Sequence, residues 1–356
     1  MKEHELSKND NQPRKDLQEL GEFGLIDQIT RNFKFVQPST IKDVGDDAAV
    51  IAAPEKEEAL LLTTDLLIEG IHFDLTYVPL RHLGYKAIMV NLSDIYAMNG
   101  TPRQIVVSMA ISNRFSLEAV EELYAGIRLA CSRYNVDLVG GDTSSSRSGL
   151  YLSITATGTA PKENIVYRNG AQENDLIFVS GDLGSAYIGL LLLEREKKVF
   201  EANPDMQPDF ENVDYLLERQ LKPEARRDII ELLNEIDVKP TSMIDISDGL
   251  ASELHHICKQ SGKGCTIYED KLPIDPLTYE QSVAFSIDPT TAAMNGGEDY
   301  ELLFTINQKD YDKIKDRLEV TPIGHITDAP SGLQLISKKG AAYPIQAQGW
   351  NHLTIR

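Results

Sequence analysis

Acidic side chains in this chain recur beside glycine or threonine, a pattern suited to holding divalent cations against phosphate. Gly45-Asp46-Asp47, Thr63-Thr64-Asp65, Gly140-Gly141-Asp142, Asp245-x-Ser247-Asp248-Gly249 and Gly296-Gly297-Glu298-Asp299 are such clusters, and Asn91 with Asp94 forms another. Phosphoryl transfer asks little covalent chemistry of a protein; it needs metal ions on the phosphate oxygens and in-line positioning. Mg²⁺ takes hard oxygen ligands and keeps several waters, so carboxylates at the ends of strands and helices suffice. A single Asp-Gly or Asp-Asp is usually a turn, because the side chain bonds its own backbone there. Asp248 also suits a helix cap. The recurrence of the pattern is what points to one shared site. Asp46 and Asp47 would face opposite ways on a strand, so one of them, Asp47, is the expected ligand.

The elements that must carry these groups follow from hydrophobic periodicity. Short apolar or alternating runs at 48–52, 59–64 and 105–111 read as strands, and 150–157 reads as an edge or half-buried strand. A helix is expected over 80–98, stopped at Asn99-Gly100, with Asn91 and Asp94 on one face. A second helix starts near Ser116 and stripes Val120, Leu123, Ile127 and Cys131. After about residue 161 a new series begins: a strand at 176–179, a helix through 193, a helix from Pro223 to 236, a strand at 243–246, a helix to about 260 and a strand at 300–306. Residues 1–20 read as a polar tail, 21–161 as a strand-rich domain with two covering helices, and 162–356 as a domain mixing helices and strands.

Composition narrows the class. The chain has 356 residues, 42% hydrophobic, with 55 acidic against 35 basic side chains and a net charge of −20. That charge disfavours a nucleic-acid surface, which needs clustered Lys and Arg. Phosphate remains compatible with it once divalent cations stand between. Cys131, Cys258 and Cys265 form no C-x-x-C pair, the first sixteen residues lack an apolar core, and the apolar run at 187–193 is too short to cross a membrane. A cytoplasmic chain without membrane partners is expected. The phosphate-loop signature G-x-x-x-x-G-K-[ST] is absent, as are the protein-kinase H-R-D and D-F-G pair.

In order along the chain, Gly21-Glu22-Phe23, Gly45-Asp46-Asp47, Thr63-Thr64-Asp65, Gly70-x-His72-Phe73, Lys86-Ala87 through Asn91-x-Ser93-Asp94, Gly140-Gly141-Asp142-Thr143, Gly181-Asp182-x-Gly184, Asp245-x-Ser247-Asp248-Gly249-Leu250, Gly296-Gly297-Glu298-Asp299-Tyr300-Glu301 and Gly349-Trp350 resemble the thiamine-monophosphate kinase family. The resemblance implies the two-domain α+β and α/β fold of aminoimidazole ribonucleotide and selenophosphate synthetases, with N-terminal domains pairing through their sheets in a homodimer. It implies phosphorylation of thiamine monophosphate to thiamine diphosphate, with ATP as co-substrate and several Mg²⁺ ions. Carried over by position, Asp47, Thr63, Thr64, Asp65, Asp94, Asp142, Asp245 and Asp248 are implied metal ligands, with Asp94, Asp245 and Asp248 at the reaction centre. Tyr124, Gly141, Asp142, Arg168 and Ser247 are implied nucleotide contacts, and His72, Glu298 and Trp350 implied contacts to the thiamine moiety. On the residues alone, Tyr124 and Trp350 suit packing equally well, His72 suits a satisfied buried histidine better than a ligand contact, and Arg168 suits a surface turn. Another ATP-dependent enzyme of the same fold, or a non-catalytic binder of nucleotide and metal, are the competing readings. A selenophosphate synthetase should carry a reactive cysteine or selenocysteine in an N-terminal Gly-rich loop, and the tail before Gly21 has neither.

Overall fold

The computed structural model describes residues 37–42, 45–53 and 57–348. Gly21-Glu22-Phe23 and Trp350 lie outside the described residues. The first sheet orders β1 (Thr40–Lys42), β2 (Ala49–Ala52), β3 (Glu58–Ile68), β6 (Leu150–Pro161), β4 (Thr101–Ile111) and β5 (Asp137–Ser145) across its width. Every pairing in it is antiparallel except that of β4 with β5. The 150–157 run is therefore a central strand, not an edge. Its strict burial alternation is the mark of a strand with one face on a core. Gly140-Gly141-Asp142 lies within β5 instead of following a strand. A Cβ at Gly141 would sit 2.0 Å from the Val107 carbonyl oxygen, so glycine there serves the close approach of β4.

Two helices cover the sheet. The first, α1 (Leu80–Ala97), starts after an extended Pro79 and is buried almost throughout. It ends at Ala97, and Asn99, with a φ of 57°, reverses the chain before Gly100. The second, α2 (Leu117–Tyr134), is capped by Ser116, whose hydroxyl accepts from the Ala119 N–H. The two helices touch through glycines. A Cβ at Gly84 would lie 2.0 Å from the Leu123 carbonyl oxygen, and one at Gly126 would lie 1.9 Å from that of Arg81.

The second sheet orders β13 (Ala342–Pro344), β12 (Leu333–Ile336), β9 (Gly264–Tyr268), β11 (Val320–Thr327), β7 (Leu176–Ser180), β10 (Leu302–Ile306) and β8 (Ser242–Asp245). Its longer helices are α3 (Ser185–Ala202), α4 (Asp214–Leu221), α5 (Arg227–Glu235), α6 (Leu250–Ser261), α7 (Pro276–Ala284) and α8 (Pro289–Asn295). No helix begins at Pro223: it lies in the connector between α4 and α5, and the preceding Lys222 is pushed out of helical conformation, as residues before proline are. Both parts of the fold mix helices and strands. One continuous core runs from Leu61 and Ile154 of the first sheet through α1 to Phe178, Met243 and Phe304 of the second. No helix among the described residues is long and apolar enough to cross a membrane.

Because backbone, not a flexible side chain, faces Gly126, Gly126→Ala should force α1 and α2 apart. We expect it to lower stability by about 2–3 kcal/mol in chemical denaturation. A loss below about 0.5 kcal/mol would show that the helices separate freely.

Candidate active site

Asp47, Asp94 and Asp245 each present a carboxylate oxygen within 4.8 Å of the others, two of them buried and Asp94 half-buried. Three elements far apart in sequence bring them together: the bend before β2, the last turn of α1 and the end of β8. Each carboxylate has its own donor. The Thr63 hydroxyl donates to Asp94 Oδ2 at 2.5 Å, and the Ser93 hydroxyl donates to Asp245 Oδ2 at 2.6 Å. The Arg168 guanidinium grips Asp47 with two bonds, Nε to Oδ2 at 3.0 Å and Nη2 to Oδ1 at 2.8 Å. Asp46 and Asp47 occupy a bend, so strand alternation does not separate them. Arg168 does so instead, turning its side chain to Asp47 and its backbone N–H to Asp46 at 3.2 Å.

Crowding of like charges away from water shapes the electrostatics. Burial, then the charges of Asp65, Asp245 and Asp47, push the Asp94 pKa well above the ordinary carboxylate range, against the Thr63 hydrogen bond. Asp245 is raised by burial and by Asp47, opposed by Ser93 and Arg168. Asp46 is raised to about 6 by burial and by Asp47, and its Oδ2 is buried without a hydrogen-bond partner among the described residues. A cluster of hard anionic oxygens that resists ionising alone is a donor set a divalent cation satisfies: cation charge favours the deprotonated form.

The other expected residues sort by position. Asp65 shares the core-facing side of β3 with Thr63 and lies close enough to act on Asp94. Thr64 points to the opposite face, where its hydroxyl donates to the Ile154 carbonyl at 2.9 Å and accepts from Thr155 at 3.0 Å. Asn91 turns its amide back to the Ala87 carbonyl at 3.1 Å. Ser93 is the helix residue that crosses to β8. Asp248 does not cap α6; its backbone N–H donates to the buried Glu253 at 3.0 Å. Tyr124 packs partly buried against the first core, and Asp142 is exposed on β5. No hydrogen bond or ion pair among the described residues ties Tyr124, Gly141 or Asp142 to the cluster. The His72 ring accepts the Ile68 N–H on Nδ1 at 3.0 Å, so the neutral ring carries its proton on Nε2.

The Gly296–Glu301 segment lies against the Ser247 turn. Glu298 N–H donates to the Ser247 carbonyl at 2.7 Å, and Tyr300 N–H to that of Ile246 at 2.9 Å. Most of its acids anchor structure. Asp299 accepts the Gly184 N–H at the start of α3 at 2.8 Å. Burial raises its pKa to about 7, against the opposing charge of Arg219. Glu301 is clamped by Arg219, Arg226 and the Ser180 hydroxyl. Glu298 alone keeps substantial exposure, with its side chain 30% accessible. Ser93, Lys86, Gln220 and Glu253 were given no role by the sequence; polar Lys86 and Ser93 among the apolar residues of α1 were the available signal.

The model for the AIR synthase related protein N-terminal domain matches residues 45–160, and that for the C-terminal domain matches residues 172–335. Thiamine-monophosphate kinase of Aquifex aeolicus is 35% identical over 94% of this chain and 99% of its own length. The Escherichia coli K12 enzyme of that name is 32% identical over 93% and 98%. Among solved structures, AaThiL complexed with AMPPCP and TMP superposes with a TM-score of 0.81 at 33% identity, spanning 95% of this chain and 99% of that one. With the two domain models matched in order and full-length relatives above 30% identity, this chain belongs to the thiamine-monophosphate kinase family of AIR synthase related proteins.

Proposed function

We propose that this chain transfers the γ-phosphoryl group of ATP to the phosphate of thiamine monophosphate, giving ADP and thiamine diphosphate. One observation carries the reading: the converging triad Asp47, Asp94 and Asp245, in a chain matched almost end to end by thiamine-monophosphate kinases. The acceptor is a phosphate monoester with a second pKa of about 6, so it is mostly ionised at pH 7 and needs no strong general base. Asp94, Asp245 and Asp248 therefore act as cation holders. Mg²⁺ is the proposed ion, held by Asp47, Asp94 and Asp245 with Asp65, Thr63 and Asp248 around them; Thr64 and Asp142, the other ligands implied by the resemblance, lie away from this cluster. When bound, the ion neutralises the two approaching phosphates and orients them.

Tyr124, Gly141, Asp142, Arg168 and Ser247 are assigned to the nucleotide, and His72, Glu298 and Trp350 to the thiamine moiety. Thr63, Ser93 and Arg168 orient the carboxylates before any ligand arrives. A homodimer through the first sheet is supported by the outward Thr64 and Leu66 of β3, and by Leu138 and Val139, exposed on β5. A cytoplasmic location completes the proposal.

Incubation with Mg-ATP and thiamine monophosphate should yield thiamine diphosphate stoichiometrically with ADP; unchanged ATP and no product would refute the kinase reading. Asp94→Asn should reduce turnover by at least about a hundredfold, the order seen when one transition-state stabiliser is removed, with an unaltered circular-dichroism spectrum. Retention of most activity would remove Asp94 from the metal site.

A raised carboxylate pKa means the folded protein holds protons that the unfolded chain releases near pH 4. The stability that these carboxylates contribute to the metal-free protein is thus fully present below that value and is lost as pH rises through their raised pKa, about 6 for Asp46, with Asp94 and Asp245 raised in the same direction. Saturating Mg²⁺ should flatten this fall, read as melting temperature between pH 5 and 8. Parallel curves with and without the ion would place Mg²⁺ elsewhere.

A further inference from the structure

Behind Glu298 stand two buried side chains that the reaction does not obviously use. Lys86, 5% exposed, places Nζ 3.1 Å from Glu298 Oε1 and donates to the Gln220 carbonyl at 2.8 Å. Gln220, 6% exposed, donates Nε2 to Glu298 Oε2 at 2.6 Å. That bond fixes the amide's orientation, because the flipped amide would set oxygen against carboxylate. The fixed orientation leaves Gln220 Oε1 buried without a hydrogen-bond partner among the described residues. Glu298 itself holds φ at 65°, a left-handed conformation unfavourable for a residue with a Cβ. A buried cation, an unsatisfied amide oxygen and a left-handed glutamate each cost stability, and all three converge on one carboxylate. Such costs persist where function requires a fixed group.

The same helix sets the distance to the chemistry. Lys86 and Ser93 are seven residues apart on α1, so they share a face two turns apart, about 10 Å along the axis. Lys86 fixes Glu298, and Ser93 fixes Asp245. An acceptor whose phosphate meets the aspartates must therefore carry the group that meets Glu298 at its far end.

We infer that Lys86 and Gln220 are positioning residues that make Glu298 a hydrogen-bond acceptor for an N–H donor on the acceptor's ring, not a charge partner for its thiazolium. The inference rests on the proposed kinase reaction. Lys86 already balances the Glu298 charge, so little net attraction remains for a permanent cation. The carboxylate oxygens keep free lone pairs in a fixed direction, which suits the exocyclic amine of an aminopyrimidine.

The two roles predict opposite signs for one variant. Lys86→Met unmasks the Glu298 charge; a charge partner would then bind thiamine monophosphate more tightly, whereas a positioned acceptor would bind it more weakly. By calorimetry with Mg²⁺ present, we expect wild-type protein to prefer thiamine monophosphate over the analogue bearing hydrogen in place of the pyrimidine amine by about tenfold, the scale of one good hydrogen bond. In Lys86→Met, binding should weaken by about tenfold and the amine preference should shrink, with Mg-ATP affinity within about twofold of wild type. Tighter binding, an undiminished amine preference or a matching loss of Mg-ATP affinity would overturn the inference. If Lys86→Met fails to fold, Lys86→Met/Glu298→Gln removes both charges; its melting temperature should recover while the amine preference stays lost, and a retained preference overturns the inference. Wild-type turnover of thiamine monophosphate without amine preference defeats this inference alone. Absence of turnover defeats the kinase reading itself.

Discussion

Like charges held together out of water are the constraint around which the rest of this structure is organised. Asp47, Asp94 and Asp245 repel one another, and burial strengthens that repulsion. Left to themselves they would separate or stay protonated. Thr63, Ser93 and Arg168 each spend donors on one of them, and all three donors come from rigid or well-anchored positions. The site is thus assembled before its ligands arrive, so binding need not supply the ordering free energy.

That assembly depends on α1 lying between the two sheets. Adjacent residues on a helix point about 100° apart, so Asp94 can reach the Thr63 side of the first sheet while Ser93 reaches β8 of the second. The glycine contact at Gly84 and Gly126 lets α2 press on α1 from outside and keeps this helix in register. Further along, the Gly296–Glu301 segment shows how one motif divides its labour. Asp299 and Glu301 build the scaffold that holds Glu298 at the surface.

Local pattern made much of this visible. The alternation of 150–157, the amphipathic stripe after Ser116 and the Asn99-Gly100 stop each leave a trace within a few residues. The acidic residues of the triad were readable because acids beside glycine or threonine at element ends are rarely all turns. What stayed hidden was long-range. Arg168 reads as a turn residue because its partner Asp47 lies 121 positions away. Ser93 reads as filler because Asp245 is 152 positions distant. Thr63 and Thr64 look equivalent in sequence, and only the pairing of β3 with β6 shows that they serve opposite faces. The helix assigned from Pro223 failed for a different reason: proline permits a first turn without requiring one.

The single core joining both sheets through α1 also governs how the molecule comes apart. Residues of both sheets contribute to the same apolar interior, so neither half can unfold without exposing the other's. Unfolding of either sheet should therefore draw in the other across this shared interior, with the aspartates that α1 and β8 contribute inside the coupled region. Amides of α1 and β8 should be among the slowest to exchange, and ligands must enter past surface loops, because prising the sheets apart would cost most of the stability of the fold.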